Sequence, residues 1–148
     1  MTKLSNFNPN LLVIEDNEQD FETLSRILKQ LSFKGDLYHC LDGDDALDFL
    51  YNKGEYNDKL TSPTPNLILL DLNLPGTDGR DVLKQIKNDI QLKIIPVVIF
   101  TTSSNEQDIK ICYERGANTY ILKPMNIETM KAKIENLLIH WFDVSIIP

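Results

Sequence analysis

The chain has 148 residues, of which 42% are hydrophobic and 25% are charged, and it carries a net charge of −7. This size and composition are typical of one soluble globular domain. The acidic balance argues against nucleic acid or anionic membranes as partners, because both are bound through lysine and arginine. No apolar run approaches the roughly 20 residues of a membrane span. We therefore expect a cytoplasmic protein, with Cys40 and Cys112 as ordinary small apolar residues.

Five short apolar segments alternate with longer segments whose apolar residues recur three and four positions apart. This alternation predicts a parallel sheet with helices on both faces, because parallel strands are joined by crossover connections. We expect a flavodoxin-like, doubly wound α/β fold with five strands in the order 2-1-3-4-5 and five helices. The predicted strands are 11–14, 36–40, 67–70, 97–100 and 119–122, and the helical patterns cover 21–31, 46–50, 82–86, 106–115 and 127–142.

The domain organisation is simple. Residues 1–148 are expected to form one domain with a core of about 10–138, a C-terminal extension at 139–148 and no effector domain. The polar segment 51–65 contains one glycine and two prolines, which predicts a surface loop.

Polar residues follow the strands at the points where their apolar runs end. The clearest case is 67–79, where the run stops at Asp71 and then breaks into a turn. Ligands of open α/β sheets bind beyond the carboxyl ends of the strands, so these residues are expected to meet at one edge. They are Glu15 and Asp16 after the first strand, Asp71 after the third, Thr101 and Thr102 after the fourth, and Lys123 after the fifth.

Three carboxylates at one edge require a positive charge, since two unit charges about 4 Å apart repel by roughly 4 kcal/mol at an effective dielectric near 20. Oxygen ligands without nearby His or Cys suit Mg²⁺ rather than zinc. Glu15 and Asp16 could instead cap the first helix, where acidic residues are favoured. We favour metal binding because the sheet brings Asp71 to the same edge.

Lys123 and Thr101 could bind a phosphoryl group through the ammonium and the hydroxyl. Taken singly, they could equally be a solvated lysine and a threonine at a strand end. Together with a metal, however, they are typical of phosphoryl transfer, and a carboxylate can accept the group as an aspartyl phosphate. Asp71 is the candidate acceptor because it follows the central strand.

These motifs closely resemble the receiver domain of bacterial two-component response regulators over about 11–138. The acidic pair of that family corresponds to Glu15 and Asp16, and its acceptor motif D-x-x-x-P-x-x-D-G begins at Asp71. The ending G-A-x-x-Y-x-x-K-P is present at 116–124.

The resemblance implies a site of known composition. Asp16 and Asp71 would bind Mg²⁺ through their carboxylates, Asn73 through its main-chain carbonyl, and Glu15 largely through a metal-bound water. A histidine kinase would supply the phosphoryl group from a phosphohistidine. The residues that hold this group would be Lys123, Thr101 and the main-chain N–H of Thr102.

The resemblance also implies a switch. Thr101 would move toward the new phosphate, and Tyr120 would then turn inward and repack the face made by the fourth helix, fifth strand and fifth helix. Without the family, we would favour the interpretation of Tyr120 as a half-buried aromatic of a strand. The bond before Pro124 would be cis.

Several departures are similar to the small stand-alone regulators that pair with bacterial phytochrome histidine kinases. They are the long segment 51–65, R-D-V-L after the D-G pair, T-T-S after the fourth strand and the Trp-Phe ending. That subgroup tends to dimerise, so we expect a homodimer with Trp141 and Phe142 as contacts. Alternatively, both rings fold back on their own domain.

Two other functions are possible for a strand-end aspartate in such a fold. A Mg²⁺-dependent phosphohydrolase with an aspartate nucleophile would require a second acid two positions on, where the chain has Asn73. A flavin or nucleotide carrier would require a glycine-rich phosphate loop, and the chain has neither G-x-G-x-x-G nor G-x-x-x-x-G-K-[ST]. We expect a non-enzymatic switch that loses its own phosphate slowly and turns over no external substrate.

Overall fold

The computed structural model describes residues 8–148. Five parallel strands form one sheet in the order β2-β1-β3-β4-β5, which confirms the predicted flavodoxin-like fold. No helix in this described range is long and apolar enough to cross a membrane. The strands are β1 (Asn10–Ile14), β2 (Asp36–Cys40), β3 (Leu67–Leu70), β4 (Val97–Thr101) and β5 (Thr119–Leu122), and the helices are α1 (Glu18–Gln30), α2 (Gly43–Tyr51), α3 (Gly79–Asn88), α4 (Glu106–Glu114) and α5 (Ile127–Leu138).

The sheet divides the core into two layers, because successive side chains of a strand point to opposite faces. In β1, Leu12 and Ile14 join the cluster covered by α2, α3 and α4. Leu11 and Val13 join the cluster covered by α1 and α5. Burial on both faces explains why the inner strands are continuous apolar runs rather than alternating ones.

Each of the five helices begins after an Asn or Asp whose side chain accepts a hydrogen bond from a main-chain N–H of the first turn. Because Asn17 caps α1, neither Glu15 nor Asp16 is the N-cap. The alternative prediction, that these two residues cap the first helix, is therefore not supported. The caps are Asn17, Asp42, Asp78, Asn105 and Asn126.

The loop after α2 is more ordered than its composition indicates. It contains a short 3-10 helix at Gly54–Tyr56. The Tyr56 hydroxyl donates to Asp45 Oδ2 at 2.9 Å, and Asn52 Nδ2 donates to the Ser62 carbonyl at 2.8 Å. The loop is therefore held against α2.

The C-terminal end of the last helix differs from the prediction. The α-helix ends at Leu138 and continues as a π-helix over Ile139–Val144. Phe142 lies in this turn and is buried in the core layer of α1 and α5, with its ring centroid 6.1 Å from that of Phe33. Phe142 is thus corrected from a dimer contact to a core residue, because its ring already packs against its own chain. Trp141 is half-buried.

Candidate functional site

Three carboxylates meet at the carboxyl edge of the two central strands. Glu15 and Asp16 follow β1 and Asp71 follows β3, and these strands are paired with Ile14 opposite Leu70. One carboxylate oxygen from each of the three lies within 4.8 Å of the other two. Glu15 and Asp71 are buried, whereas Asp16 is exposed. A cluster of hard oxygen ligands open to solvent on one side fits a cation such as Mg²⁺ or Mn²⁺.

Lys123 places its ammonium among these carboxylates, although only 6% of its side chain is exposed. Nζ donates to Glu15 Oε1, and to Asp71 Oδ2 and Asp20 Oδ2 at 3.0 Å each. The sequence interpretation missed Asp20. No residue pattern pointed to it, because an acidic residue in the first turn of a helix is common and this contact depends on the tertiary fold.

The charges at this edge are not balanced, because one ammonium serves three carboxylates. Burial raises the pKa of Glu15 to about 7. The hydrogen bond from Lys123 lowers this pKa, and the repulsion from Asp71 raises it further, so burial prevails. Burial alone would lower the pKa of Lys123, but its hydrogen bond and attraction to Glu15 and Asp71 outweigh that effect and raise the pKa. The ammonium therefore stays charged at neutral pH, and the acidic group has capacity for further positive charge.

The backbone of Glu15 is fixed by β2. Its N–H donates to the Cys40 carbonyl at 3.0 Å, and its carbonyl accepts a hydrogen bond from His39 Nε2 at 2.7 Å. The His39 ring is stacked on Phe21 of α1, with centroids 3.7 Å apart. Strand β2 and helix α1 thus hold the first acidic residue in place.

The turn after β3 is held by a close approach of backbone to backbone. The N–H of Gly79 donates to the Leu72 carbonyl at 3.1 Å, and Asn73 N donates to Asp71 Oδ1 at 3.3 Å. A Cβ on Gly79 would lie 2.6 Å from Leu72 Cα and would also collide with the Asp71 carbonyl oxygen. Glycine is therefore required at this point of the D-x-x-x-P-x-x-D-G motif.

Ser103 connects the two residues that the sequence named as the switch. Thr101 is the last residue of β4 and is fully buried, and its Oγ1 accepts from Ser103 N at 3.4 Å. The Tyr120 hydroxyl donates to the Ser103 carbonyl at 2.8 Å, and its ring is half-buried against the core. Thr102 is exposed. The sequence interpretation did not single out Ser103.

An ion-pair network extends from Ser103 to α3 and α4. Ser103 Oγ donates to Asp108 Oδ2 at 2.7 Å, and Arg80 donates to both carboxylate oxygens of Asp108 at 2.7 and 2.8 Å. The hydrogen bonds from Arg80 and Ser103 lower the pKa of Asp108 to about 2. Arg80 also binds Asp78, the cap of α3. The start of α4 is therefore tied to the turn that carries the acceptor.

The bond before Pro124 is trans, because no peptide bond in the described part of the chain is cis. The cis bond that the resemblance implied is thus corrected. A trans bond is the ordinary state, favoured before proline by about 0.5–1 kcal/mol. With this bond trans, Lys123 still reaches the acidic group.

A family model described as the response regulator receiver domain matches residues 11–135. The chain belongs to this family. As a receiver domain, it acts in phosphorylation-dependent signalling, and the phosphohydrolase alternative is not favoured. Its three-carboxylate group lies where receiver domains bind a divalent metal.

Among its relatives, this receiver domain is 40% identical to the response regulator Rcp1 of Synechocystis over 138 residues, covering 93% of this chain and 92% of Rcp1. It is similar to the crystal structure of the phosphorylated cyanobacterial phytochrome response regulator RcpA, with a TM-score of 0.90 and 35% identity over 96% of this chain and 99% of RcpA. The Mn²⁺-bound form of Rcp1 gives a TM-score of 0.87 and 39% identity over 95% of this chain and 99% of the other.

Proposed function

We propose that this receiver domain is a stand-alone response regulator that accepts a phosphoryl group on Asp71, with Mg²⁺, from the phosphohistidine of a sensor histidine kinase. One observation carries the proposal. The Lys123 ammonium lies 3.0 Å from Asp71 Oδ2 at the same edge where the three carboxylates converge. A nucleophile, a fixed cation and a set of metal ligands thus surround one point that solvent can reach.

The proposed reaction follows from these positions. An Asp71 carboxylate oxygen bonds to phosphorus while the phosphorus–nitrogen bond of the phosphohistidine breaks, and that electron pair remains on the imidazole nitrogen. Lys123 neutralises charge on the phosphoryl oxygens, which are also hydrogen-bonded by the Thr101 hydroxyl and the Thr102 main-chain N–H. The bound metal would add further neutralisation of the same oxygens.

The proposed metal ligands are those that the acidic group supplies. Asp16 and Asp71 would bind Mg²⁺ through their carboxylates, and Glu15 would bind through a water. Asn73 would contribute its main-chain carbonyl, supported by the hydrogen bond that holds its N–H to the Asp71 carboxylate. Mg²⁺ commonly keeps several waters and takes few carboxylates, which agrees with this arrangement.

Phosphorylation would act as a switch because it adds about one negative charge beside Thr101. A movement of Thr101 toward that charge would displace Ser103, whose main chain is hydrogen-bonded to both Thr101 and the Tyr120 hydroxyl. Ser103 also binds Asp108 of α4. We infer that the change reaches the face formed by α4, β5 and α5 through this route.

Lys123→Ala is expected to permit phosphorylation but to uncouple it from that face. The acceptor carboxylate remains, whereas the ammonium that would draw β5 toward the phosphate is lost. Trp141, the only tryptophan, lines a groove with Tyr120 and reports on this face by its fluorescence. Phosphorylation should shift the emission of the wild type but not of Lys123→Ala. Lys110→Ala, which removes an exposed lysine of α4, serves as the control. A normal phosphorylation-dependent shift in Lys123→Ala would contradict the assigned role.

We further propose that the kinase is of the phytochrome type. Support comes from the relatives, since RcpA is a phytochrome response regulator and shares the fold along 96% of this chain. The proposal assigns the chain a signalling role in the cytoplasm through protein partners, without turnover of an external substrate. Its net charge of −7 does not favour nucleic acid.

We also propose that the receiver domain forms a homodimer through the surface around Trp141. Apolar side chains here are unusually exposed, including Ile139 at 43%, Val144 at 69% and Ile146 at 91%. Such a patch is costly to leave in water, and a second copy would cover it. Trp141 is the aromatic residue at its border, and aromatic side chains commonly dominate interface energies.

Trp141→Ala combined with Ile146→Ser is expected to weaken self-association by about tenfold or more, as for loss of an aromatic interface residue. Sedimentation equilibrium measures the dissociation constant. Ile90→Ser is the control, because Ile90 is 80% exposed but lies in the connection between α3 and β4, outside the apolar segment 139–146. Unchanged sedimentation of the double variant would refute the proposed interface.

A further inference from the structure

Lys123 contacts three carboxylates, but only two of them belong to the acidic group that fits a divalent cation. Glu15 and Asp71 are members of that group together with Asp16. Asp20 is not a member, although its Oδ2 lies 3.0 Å from Lys123 Nζ. The Asp20 side chain comes from the first turn of α1 and is 45% exposed.

A bound divalent cation and the Lys123 ammonium would compete for Glu15 and Asp71, since both are positive and need the same oxygens. The ammonium cannot simply move into solvent, because the Lys123 side chain is only 6% exposed. A charge held this deeply needs a polar partner. Within the described part of the chain, Asp20 is the one carboxylate that contacts Lys123 and lies outside the metal-binding group.

We propose that Asp20 is a positioning residue, which holds the Lys123 ammonium at the edge of the sheet while Glu15, Asp16 and Asp71 bind a divalent cation. This inference rests on the metal site of the proposed function. Without the Asp20 carboxylate, the ammonium keeps only the two carboxylates that the cation also needs. Cation binding is then weaker.

Asp20 has a simpler possible role, which a second residue allows us to separate. Acidic residues in the first turn of a helix stabilise it through the helix dipole, and any nearby carboxylate attracts cations. Glu18 lies in the same first turn of α1 and carries the same charge, but no ion pair joins it to Lys123. Glu18→Gln therefore reproduces the loss of helix-dipole stabilisation and of the general attraction for cations, but it leaves the contact between Asp20 and Lys123 intact.

Isothermal titration calorimetry of the full chain with MgCl₂ tests the inference. Asp20→Asn is expected to weaken Mg²⁺ binding about fivefold, the size of one partly exposed ion pair, whereas Glu18→Gln changes it less than about twofold. In a Lys123→Ala background, Asp20→Asn should weaken Mg²⁺ binding no more than Glu18→Gln does, because the residue through which Asp20 acts is gone. Thermal unfolding of each variant confirms that it is folded.

The outcomes separate this inference from the proposed function. Absence of Mg²⁺ binding by the wild type would overturn the metal site and the role of Asp20 with it. If the wild type binds Mg²⁺ but Asp20→Asn matches Glu18→Gln, the positioning role is wrong and the metal site stands. The positioning role is also wrong if the effect of Asp20→Asn persists without Lys123. The comparison of the two single variants is decisive even if Lys123→Ala does not fold.

Discussion

Asp71→Asn is expected to abolish the incorporation of phosphate from acetyl phosphate or phosphoramidate in the presence of Mg²⁺. The substitution keeps the shape of the side chain but replaces an anionic nucleophile with a neutral amide. It also removes one ligand from the acidic group and one partner from Lys123. Intact mass spectrometry should find one added phosphate on the wild type and none on the variant.

Asp48→Asn is the matched control, because it makes the same chemical change on an exposed residue of α2. It should be phosphorylated like the wild type. The phosphate on the wild type should be lost in mild base, as for an acyl phosphate and unlike a serine or threonine ester. Wild-type incorporation by Asp71→Asn would show that the acceptor lies elsewhere.

Gly79→Ala is expected to destabilise the fold by about 3 kcal/mol, at the upper end of the usual cost of overpacking. The added methyl group would lie 2.6 Å from Leu72 Cα and would also collide with the Asp71 carbonyl oxygen. Both are backbone atoms, which cannot rotate away as a side chain could. To relieve this collision the backbone must shift, and the shift would move the turn that carries the Asp71 and Asn73 oxygens. Urea unfolding followed by circular dichroism measures the stability, and calorimetry with MgCl₂ should show weakened binding in the folded variant.

Gly54→Ala separates this collision from the general effect of replacing a glycine. Gly54 has φ of +58°, and a Cβ added to it would lie 3.9 Å from the nearest atom, Asp48 Oδ2. Its substitution should therefore cost only the backbone strain of about 1–2 kcal/mol. If Gly79→Ala is no more destabilising than Gly54→Ala, the close approach at the turn is not as tight as the structure indicates.

The strands could be predicted closely from the sequence because their short apolar segments alternate with segments of helical periodicity, and because burial of β3 on both faces demands an unbroken apolar run. The predicted segments 36–40, 67–70 and 119–122 are the observed strands. The end of the last helix could not be predicted in this way. Its apolar spacing continues to Phe142, and the spacing does not reveal that the backbone changes to a π-helix at Ile139.

The acidic group could likewise be predicted, because the order of the strands fixes which residues share an edge. Asp20 and Ser103 could not. The Asp20 contact joins residues 103 positions apart and depends on the position of the first turn of α1 relative to the residue that follows β5. Ser103 contacts Thr101 and Tyr120 through its main-chain N–H and carbonyl, which almost every residue type provides. Neither feature leaves a distinctive pattern of residue types.

The attachment of Glu15 to β2 links the acidic edge to the outermost strand of the sheet. Strand β2 has a hydrogen-bonded neighbour on one side only, and most of its side chains are partly exposed. Outer strands open locally more readily than central ones, and their amide protons exchange with solvent at those moments. Each opening of β2 frees the Glu15 main chain from Cys40 and His39. The main chain of Glu15 is therefore fully fixed only while β2 is paired, and a cation held through Glu15 would in turn slow the exchange of the β2 amides.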